Sequence, residues 1–327
     1  MGHTPQNETQ PEAPPVAVGI DGGGTSTRVL LVGADGQTLG MGQSGSGNLH
    51  DVGAERLARH VDEAWRSAWS AAGEAPREAA AAFCAMASVG TAANRKTIQE
   101  LIAELGVARV ADVVVDIDLA AALVGGLGGG HGIALIAGTG SSCYGRDRAG
   151  NTFQSGGWGS LLDDVGGATW LGTQAMVSAV RAFDGRGPTT SLSGAILEHF
   201  KIDHMRELLP KVDAGGFARA SRAQLAKLVT AAALAGDPAA LEILQRGAHA
   251  LGECAGAVAR RLDFTGDEGI EVVATGGLAE NSPHYLELIH RAVEVQVPRA
   301  VCITPRMSNA EGAALLAHDQ MKAAKRS

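Results

Sequence analysis

The sequence is poor in cysteine and in aromatic residues. Its four cysteines, Cys84, Cys143, Cys254 and Cys302, form no CxxC pair and show no zinc-ligand spacing. Each stands in an apolar setting, which is typical of buried thiols in a reducing compartment rather than of disulfides. Aromatic residues make up only 4%, whereas glycine contributes 45 residues, a composition that indicates close-packed helices and glycine loops. We therefore predict a cytoplasmic protein.

Long hydrophobic runs are also missing. No apolar stretch reaches the ~18 residues of a membrane-spanning helix, so no membrane partner is expected. Residues 1–15 are polar and proline-rich without the apolar core of a signal peptide, and they are predicted to be a disordered tail. The net charge of -8 argues against a nucleic-acid partner. It does not exclude a nucleotide, because loops, helix ends and Mg²⁺ hold phosphates locally.

Two common nucleotide-binding motifs are absent as well. No GxxxxGK[ST] run is present, and the glycines Gly22, Gly23 and Gly24 do not open a helix as a Rossmann fingerprint requires. They follow an apolar run and precede a second strand that turns at an Asp-Gly pair, a hairpin signal. Glycine N–H groups in such a turn form an anion-binding concavity. Beside them, Asp21 suits a hydrated Mg²⁺ and Thr25 adds a hydroxyl.

The same pattern of strand, small-residue loop and strand occurs a second time. An apolar strand over 133–137 precedes a loop predicted at Gly138, Thr139, Gly140, Ser141 and Ser142. One copy alone fits a plain tight turn, but two copies predict two related domains that present their loops to one nucleotide. We expect domains over 16–127 and 128–307, with a closing helix over 308–324 that is a candidate to return to the first. Mixed α/β sheets covered on both faces are predicted.

Several other polar residues stand at predicted strand ends. Asp118 follows a strand predicted over 110–115, and fits a general base or a helix N-cap, while Asp116 is the competing carboxylate. Between Gly156 and Gly167, glycines surround one tryptophan and two adjacent aspartates, a set that would hold sugar hydroxyls, a metal or simply a helix cap. Asn48 fits a ligand contact or a turn. The run 275–277 fits either packing against the flat base of a nucleotide or a plain strand-to-helix turn.

Taken together, these stretches resemble the superfamily of sugar kinases, Hsp70 and actin, and most closely the N-acetylglucosamine kinase family within the BadF/BadG/BcrA/BcrD group. The matches lie at 19–25, 47–48, 118, 136–142, 156–167, 235–237, 275–277 and 311–314. The resemblance implies two ribonuclease-H-like lobes with ATP and Mg²⁺ in the cleft between them. It further implies phosphorylation of an amino sugar, a small-molecule substrate, at its 6-hydroxyl.

The resemblance also implies a role for each site residue. Asp118 is the expected catalytic residue, and Asp21 the expected Mg²⁺ ligand. The residues expected to contact ATP are Asp21, Gly22, Gly23, Gly24, Thr25, Gly138, Thr139, Gly140, Ser141, Gly276 and Gly277. Those expected to contact the sugar are Asn48, Ser88, Asp118, Ser142, Gly157, Trp158 and Asp164. Relatives are often dimers, so a homodimer is expected, with the helical segment 191–262 as a candidate interface.

Some points stay open in the sequence. Ser142 stands where some relatives carry asparagine, so N-acetylglucosamine, glucosamine and N-acetylmuramic acid all fit. An activator ATPase of 2-hydroxyacyl-CoA dehydratases would need cluster-binding cysteines, and no cysteine lies in a glycine-rich loop. A non-catalytic sugar or nucleotide sensor would not need the three aspartates Asp21, Asp118 and Asp164. The amino-sugar kinase is therefore the favoured interpretation.

Overall fold

The computed structural model of the protein describes residues 13–87, 89–213, 218–264 and 269–324. Two mixed five-stranded sheets and their covering helices account for most of these residues. The strands are β1 (Val16–Gly22), β2 (Thr27–Gly33), β3 (Thr38–Ser44), β4 (Ala81–Met86), β5 (Val113–Ile117), β6 (Gly132–Ala137), β7 (Ser141–Arg146), β8 (Thr152–Gly156), β9 (Ile270–Thr275) and β10 (Ala300–Ile303).

The α-helices complete the described architecture. They are α1 (Leu49–Ala72), α2 (Ala92–Glu104), α3 (Asp118–Leu127), α4 (Ala168–Phe183), α5 (Leu192–Phe200), α6 (Leu208–Asp213), α7 (Arg219–Gln224), α8 (Ala226–Leu234), α9 (Pro238–Arg261), α10 (Gly277–Glu280), α11 (Pro283–Gln296) and α12 (Asn309–Ala324). Within the described ranges, no helix is both long and apolar enough to span a membrane.

The first sheet has the strand order β3-β2-β1-β4-β5. Strand β1 pairs antiparallel with β2 and parallel with β4, and all seven of its residues are buried. Because side chains alternate along a strand, Val18 packs into the cluster of helix α1, while Ala17 packs against Ala313 and Ala317 of α12. The sheet is therefore covered on both faces, and the closing helix α12 covers one of them.

The second sheet repeats this design in the order β10-β9-β6-β7-β8. Strand β6 pairs antiparallel with β7 and parallel with β9, as β1 does with its neighbours. Helix α3 lies between the two sheets, since its Ala121 belongs to the core cluster of the first and its Leu123 packs with Val273 of the second. The predicted mixed α/β architecture is confirmed, and the repeated topology of the two sheets is the one expected of two ribonuclease-H-like lobes.

Two boundaries differ from the sequence-based prediction. The strand predicted over 110–115 begins later, because Val110–Asp112 forms a single 3₁₀ turn and the parallel register with β4 joins Ala82 to Val113. Helix α3 accordingly begins at Asp118. The second loop is shorter than predicted, because the antiparallel ladder with β6 pairs Ser141 with Ala137 and thus draws Ser141 and Ser142 into β7.

The contact between β1 and α12 makes a stability prediction. A Cβ added to Gly19 would lie 2.2 Å from the backbone nitrogen of Ala314 and 2.5 Å from its Cα, so helix α12 would have to move. Overpacking of this kind costs about 1–3 kcal/mol. We expect Gly19→Ala to lower the free energy of unfolding in urea by that amount.

A glycine without neighbours provides the control for that experiment. Gly194 lies within α5, and a Cβ added there would meet no atom within 4 Å. Alanine is the better helix former by about 1 kcal/mol. Gly194→Ala should therefore leave stability unchanged or raise it, and equal losses in both variants would contradict the packing argument.

Candidate active site

The first glycine loop places a buried carboxylate at the end of β1. Asp21 is only 5% exposed, and its Oδ2 lies 3.5 Å from Nη1 of Arg28, a long ion pair. The turn is closed by a hydrogen bond from the Gly23 N–H to the Ser26 carbonyl. Burial raises the pKa of Asp21 to about 7, with a further rise from the nearby charge of Asp118 and a partial offset by Arg28.

The two glycine loops meet. A Cβ on Gly24 would lie 3.1 Å from Cβ and Oγ1 of Thr139, so the tips of the two loops face each other between the lobes. The second loop rests on the start of helix α4, because the N–H of Thr169 donates to the Thr139 carbonyl at 3.0 Å. Gly22 ends β1, Thr25 is exposed, and Gly138 and Gly140 are joined by a backbone hydrogen bond.

Asp118 lies at the start of helix α3, between the sheets. Its Oδ1 accepts a hydrogen bond from the Leu119 N–H at 3.0 Å, and the residue is half-buried. Burial raises its pKa to about 6, with opposing contributions from backbone N–H groups and Arg219. The competing carboxylate, Asp116, is held by Arg95 through a 2.9 Å ion pair. Asp118 is therefore the carboxylate that faces the other charged groups of the site.

The loop that precedes α4 contributes a third aspartate. Asp164 has a left-handed backbone, with φ of 58°, and is only 2% exposed. Its Oδ2 accepts a 2.8 Å hydrogen bond from Nη2 of Arg219. Burial raises the pKa of Asp164, and Arg219 opposes that rise. The charge of Asp118 raises the pKa of Asp21, and the charge of Asp164 raises the pKa of Asp118, so Asp118 interacts electrostatically with each of the other two aspartates.

The remaining expected sugar contacts have mixed surroundings. Asn48 is 1% exposed, and its Oδ1 caps helix α1 by accepting hydrogen bonds from the N–H groups of His50 and Asp51. A Cβ on Gly157 would lie 2.7 Å from Oγ of Ser142, so β7 and the aspartate loop touch there. Trp158 is 75% exposed. Ser88 lies outside the described residues.

Gly276 and Gly277 lie against the second glycine loop. Gly276 has φ of 103°, and a Cβ there would lie 2.8 Å from the Ala137 carbonyl oxygen, so only glycine fits. A Cβ on Gly138 would lie 4.0 Å from the Gly277 nitrogen. The Glu280 carboxylate holds this turn by accepting from the Gly276 N–H at 3.0 Å, and its charge also raises the pKa of Asp21.

Three charged residues of the cluster were missed in the sequence. Arg28 and Glu280 each had a weak signal, because Arg28 follows the first glycine loop on an otherwise apolar strand and Glu280 follows the glycine turn by one helical turn. Arg219 had none. It comes from helix α7, 55 residues away from its partner Asp164, and nothing in the local sequence indicates that contact.

The carboxylates also bear on the predicted Mg²⁺. Among the described residues, no group of three or more His, Cys, Asp or Glu side chains forms a metal cage. Protein-bound Mg²⁺ usually takes only one or two carboxylates and completes its shell with waters and phosphate oxygens. Asp21 fits that role because its buried carboxylate has only a long pair with Arg28 and lies close enough to Asp118 to be repelled.

Comparisons with known proteins agree with this architecture. The chain is 28% identical to an N-acetylmuramic acid/N-acetylglucosamine kinase of Clostridium acetobutylicum, over 93% of this chain and 98% of that one. It is also 28% identical to an N-acetyl-D-glucosamine kinase of Dictyostelium discoideum, over 94% and 99%. A solved structure of a candidate N-acetylglucosamine kinase from Chromobacterium violaceum superimposes with a TM-score of 0.77, at 28% identity and over 93% and 99%.

The family is shown by a profile match that covers most of the chain. The profile described as the BadF/BadG/BcrA/BcrD ATPase family matches residues 18–317. That range includes both glycine loops, the three aspartates and the Gly276 turn, and it confirms the prediction of an ATP-using enzyme. The chain belongs to the BadF/BadG/BcrA/BcrD ATPase family.

Proposed function

We propose that the protein transfers the γ-phosphoryl group of ATP to the 6-hydroxyl of an amino sugar, N-acetylglucosamine or glucosamine. The observation that carries the proposal is that the two glycine loops face each other, with Asp21 beside the first and Asp164 beside the second, where a Cβ on Gly140 would lie 2.5 Å from Oδ2 of Asp164. Asp118, at the start of α3, interacts electrostatically with both aspartates. Phosphoryl transfer needs protein groups there that bind the phosphoryl donor and others that bind the hydroxyl acceptor. This chain matches its relatives along nearly their whole length, and those relatives are named as kinases of amino sugars, which supports the substrate class.

In this proposal each loop has a separate task. The N–H groups near Gly24 and Thr139, at the facing tips of the loops, hold the phosphates, while Gly276 and Gly277 leave room for the adenosine. Asp21 would hold Mg²⁺, which would supply positive charge to the phosphate oxygens. Asp164, Asn48, Ser88, Ser142 and the Gly157–Trp158 pair bind the sugar. Ligand sites of open α/β sheets lie at such strand ends.

The proposed chemical step is an in-line displacement. Asp118 orients the 6-hydroxyl and accepts its proton while the sugar oxygen bonds to the γ-phosphorus. The bond from that phosphorus to the bridging oxygen breaks, and ADP leaves. Positioning and electrostatic stabilisation supply most of the catalysis in phosphoryl transfer. Exclusion of water by the two lobes would limit loss of ATP to hydrolysis.

We also propose that the lobes divide near residue 127, as the chain enters the glycine turn before β6. Helix α12 is assigned to the first lobe in this proposal, supported by its packing on β1 through Ala313 and Ala317. A homodimer and a cytoplasmic location stay predictions.

A coupled assay of ADP release tests the proposed reaction. ATP and Mg²⁺ are held constant against N-acetylglucosamine, glucosamine, N-acetylmuramic acid and glucose. Turnover on an amino sugar that exceeds turnover on glucose at least tenfold in kcat/KM supports the proposal. Turnover on glucose alone, or none on any of the four sugars by a preparation that binds ATP, would overturn it.

The elevated pKa of Asp118 predicts an acid limb in the rate. A general base must be deprotonated, and burial raises the pKa of Asp118 to about 6. With saturating ATP and Mg²⁺, which keep Asp21 ionised, kcat/KM for the sugar reports the enzyme before the sugar binds. It should be flat above pH 7 and fall tenfold per pH unit below about 6. A rate that stays constant down to pH 5 would argue against Asp118 as the base. Asp116→Asn should leave the limb in place.

A further inference from the structure

We propose that Arg219 is a positioning residue that ties the sugar site in the second lobe to the start of helix α1 in the first. One guanidinium nitrogen, Nη2, holds Asp164 at 2.8 Å, and the other, Nη1, lies 3.9 Å from Oδ2 of Asp51. This inference rests on the proposed function, because it assigns Asp164 and Asn48 to sugar binding. It adds a contact between lobes that brings those two residues together.

The contact completes a chain of polar contacts between the proposed sugar residues of the two lobes. The N–H of Asp51 donates to Oδ1 of Asn48 at 3.3 Å, and the carboxylate of the same Asp51 faces Arg219. Arg219 in turn binds Asp164. The proposed sugar residue of the first lobe is thus connected to that of the second through one aspartate and one arginine.

Arg219 is also anchored to the second phosphate loop. Its backbone carbonyl accepts a hydrogen bond from Oγ1 of Thr169 at 3.3 Å, and the N–H of Thr169 bonds to Thr139 in that loop. A Cβ on Gly140 would lie 2.4 Å from Nη2 of Arg219. The guanidinium therefore lies where the phosphate loop, the sugar loop and the opposite lobe meet, a position that suits a residue coordinating all three.

The two ion pairs of Arg219 differ in strength. Asp164 is buried and close, so that pair fixes the guanidinium in the second lobe. The Asp51 pair is long, and the two side chains are 24% and 31% exposed, so it is an adjustable contact of modest strength. Movement of one lobe relative to the other would change the distance from Arg219 to Asp51 and would leave the distance from Arg219 to Asp164 unchanged. Loss of the Asp51 carboxylate therefore isolates the contact between lobes.

Asp51→Asn is the test variant, with steady-state kinetics for the amino sugar on which the wild type turns over. An exposed pair of this kind corresponds to roughly a two- to fivefold effect. We expect the KM for the sugar to rise by that factor, with the KM for ATP unchanged within about twofold. Arg219→Gln should cost more than Asp51→Asn, because it also deprives the buried Asp164 of its partner, and Arg219→Lys should recover part of the loss.

Asp62→Asn is the matched control. Asp62 lies on the same helix α1, is 29% exposed, and pairs with Arg66 one turn away. It should leave both KM values unchanged. The double variant Asp51→Asn/Arg219→Gln should have the same sugar KM as Arg219→Gln alone, because the contact is already lost. Full additivity, or equal effects of Asp51→Asn and Asp62→Asn, would overturn the inference.

A thermal unfolding cycle keeps this inference separate from the proposed function. Its four proteins are the wild type, Asp51→Asn, Arg219→Gln and the double variant. If the wild type phosphorylates no sugar, the proposed function fails, and the contact is still tested by Tm. Asp51→Asn should lower Tm in the wild-type background and leave it unchanged in the Arg219→Gln background. If Asp51→Asn lowers Tm equally in both, or in neither, Arg219 does not join the lobes through Asp51.

Discussion

Asp118→Asn is expected to lower kcat by about 10²- to 10⁴-fold, the contribution of a positioned general base. Asparagine keeps the size of the side chain and its hydrogen bond with the Leu119 N–H, but it has no basic oxygen for the proton of the sugar hydroxyl. ATP binding should be retained within about threefold, because the glycine loops are untouched. Turnover and nucleotide affinity are measured separately, by coupled ADP release and by calorimetric titration.

Asp116→Asn is the matched control for this prediction. Asp116 lies two residues away in β5 and is engaged by Arg95 at 2.9 Å, so its loss should change kcat by less than about fivefold. A ranking in which Asp116→Asn is the slower enzyme would move the base to Asp116. Retained turnover in both variants would remove the general base from the mechanism.

Asp21→Asn is expected to have opposite effects on activity and on stability. Loss of the carboxylate should lower kcat/KM for ATP by about 10²- to 10³-fold, because electrostatic stabilisation of the transferring group is usually the largest single contribution to catalysis. The variant should also need more Mg²⁺ for half-maximal rate. The metal-free variant, however, should be more stable than the metal-free wild type at pH 8.

The sign of the stability change follows from the raised pKa of Asp21. Its value of about 7 in the folded protein exceeds the ~3.9 of an unfolded chain. The native state therefore binds more protons between pH 4 and 7, and the free energy of unfolding decreases as pH rises through that window. Above pH 7 the buried charge is a full cost, which Asp21→Asn removes, so its Tm advantage should be largest at pH 8 and vanish toward pH 4.

Thermal unfolding in a chelator from pH 4 to 8 measures this difference. Asp147→Asn is a control of opposite sign, because contacts with Asn151 lower the pKa of Asp147, so that its charged form stabilises the fold above pH 4. A Tm for Asp21→Asn below that of the wild type at pH 8 would contradict the assignment of a raised pKa. Full activity in Asp21→Asn would contradict the assignment of Asp21 as the Mg²⁺ ligand.

The fold was predictable because its signals are local. The hairpin of β2 and β3 turns at an Asp-Gly pair, and Gly36 has the positive φ of 86° that such a turn needs. The second copy of the pattern then indicates the second lobe. Asp237 caps α9 through the N–H groups of Ala239 and Ala240, ahead of a proline in the first turn, and both are local signals of a helix start.

The sequence-based boundaries were wrong where the start of a strand depends on its register with a neighbouring strand. Val110–Asp112 adjoins the β-branched run over 113–115 and was predicted as part of the same strand, but the parallel ladder with β4 begins only at Val113. Ser141 and Ser142 look like loop residues, yet pairing with β6 continues through them. Hydrogen bonds between distant strands decide such boundaries, and neither composition nor periodicity records them.

The candidate site was predictable in its loops and only partly in its charges. Asp21, Asp118 and Asp164 each follow a recognisable strand or glycine signal. Arg219 does not, because its place beside Asp164 is set by how the helical segment folds back onto β7 and α4. Asn48 illustrates a residue that was noticed in the sequence but whose role is untested. Its capping of α1 accounts for it structurally, and its role at the sugar stays a prediction.

Product analysis tests the central claim most directly. The wild-type protein is incubated with ATP, Mg²⁺ and N-acetylglucosamine or glucosamine, and the product is examined by phosphorus and carbon NMR. The proposed chemistry predicts one sugar monophosphate with phosphorus coupled to carbon 6, formed in equal amount to ADP. Phosphate on another carbon, or ADP released with inorganic phosphate alone, would contradict it.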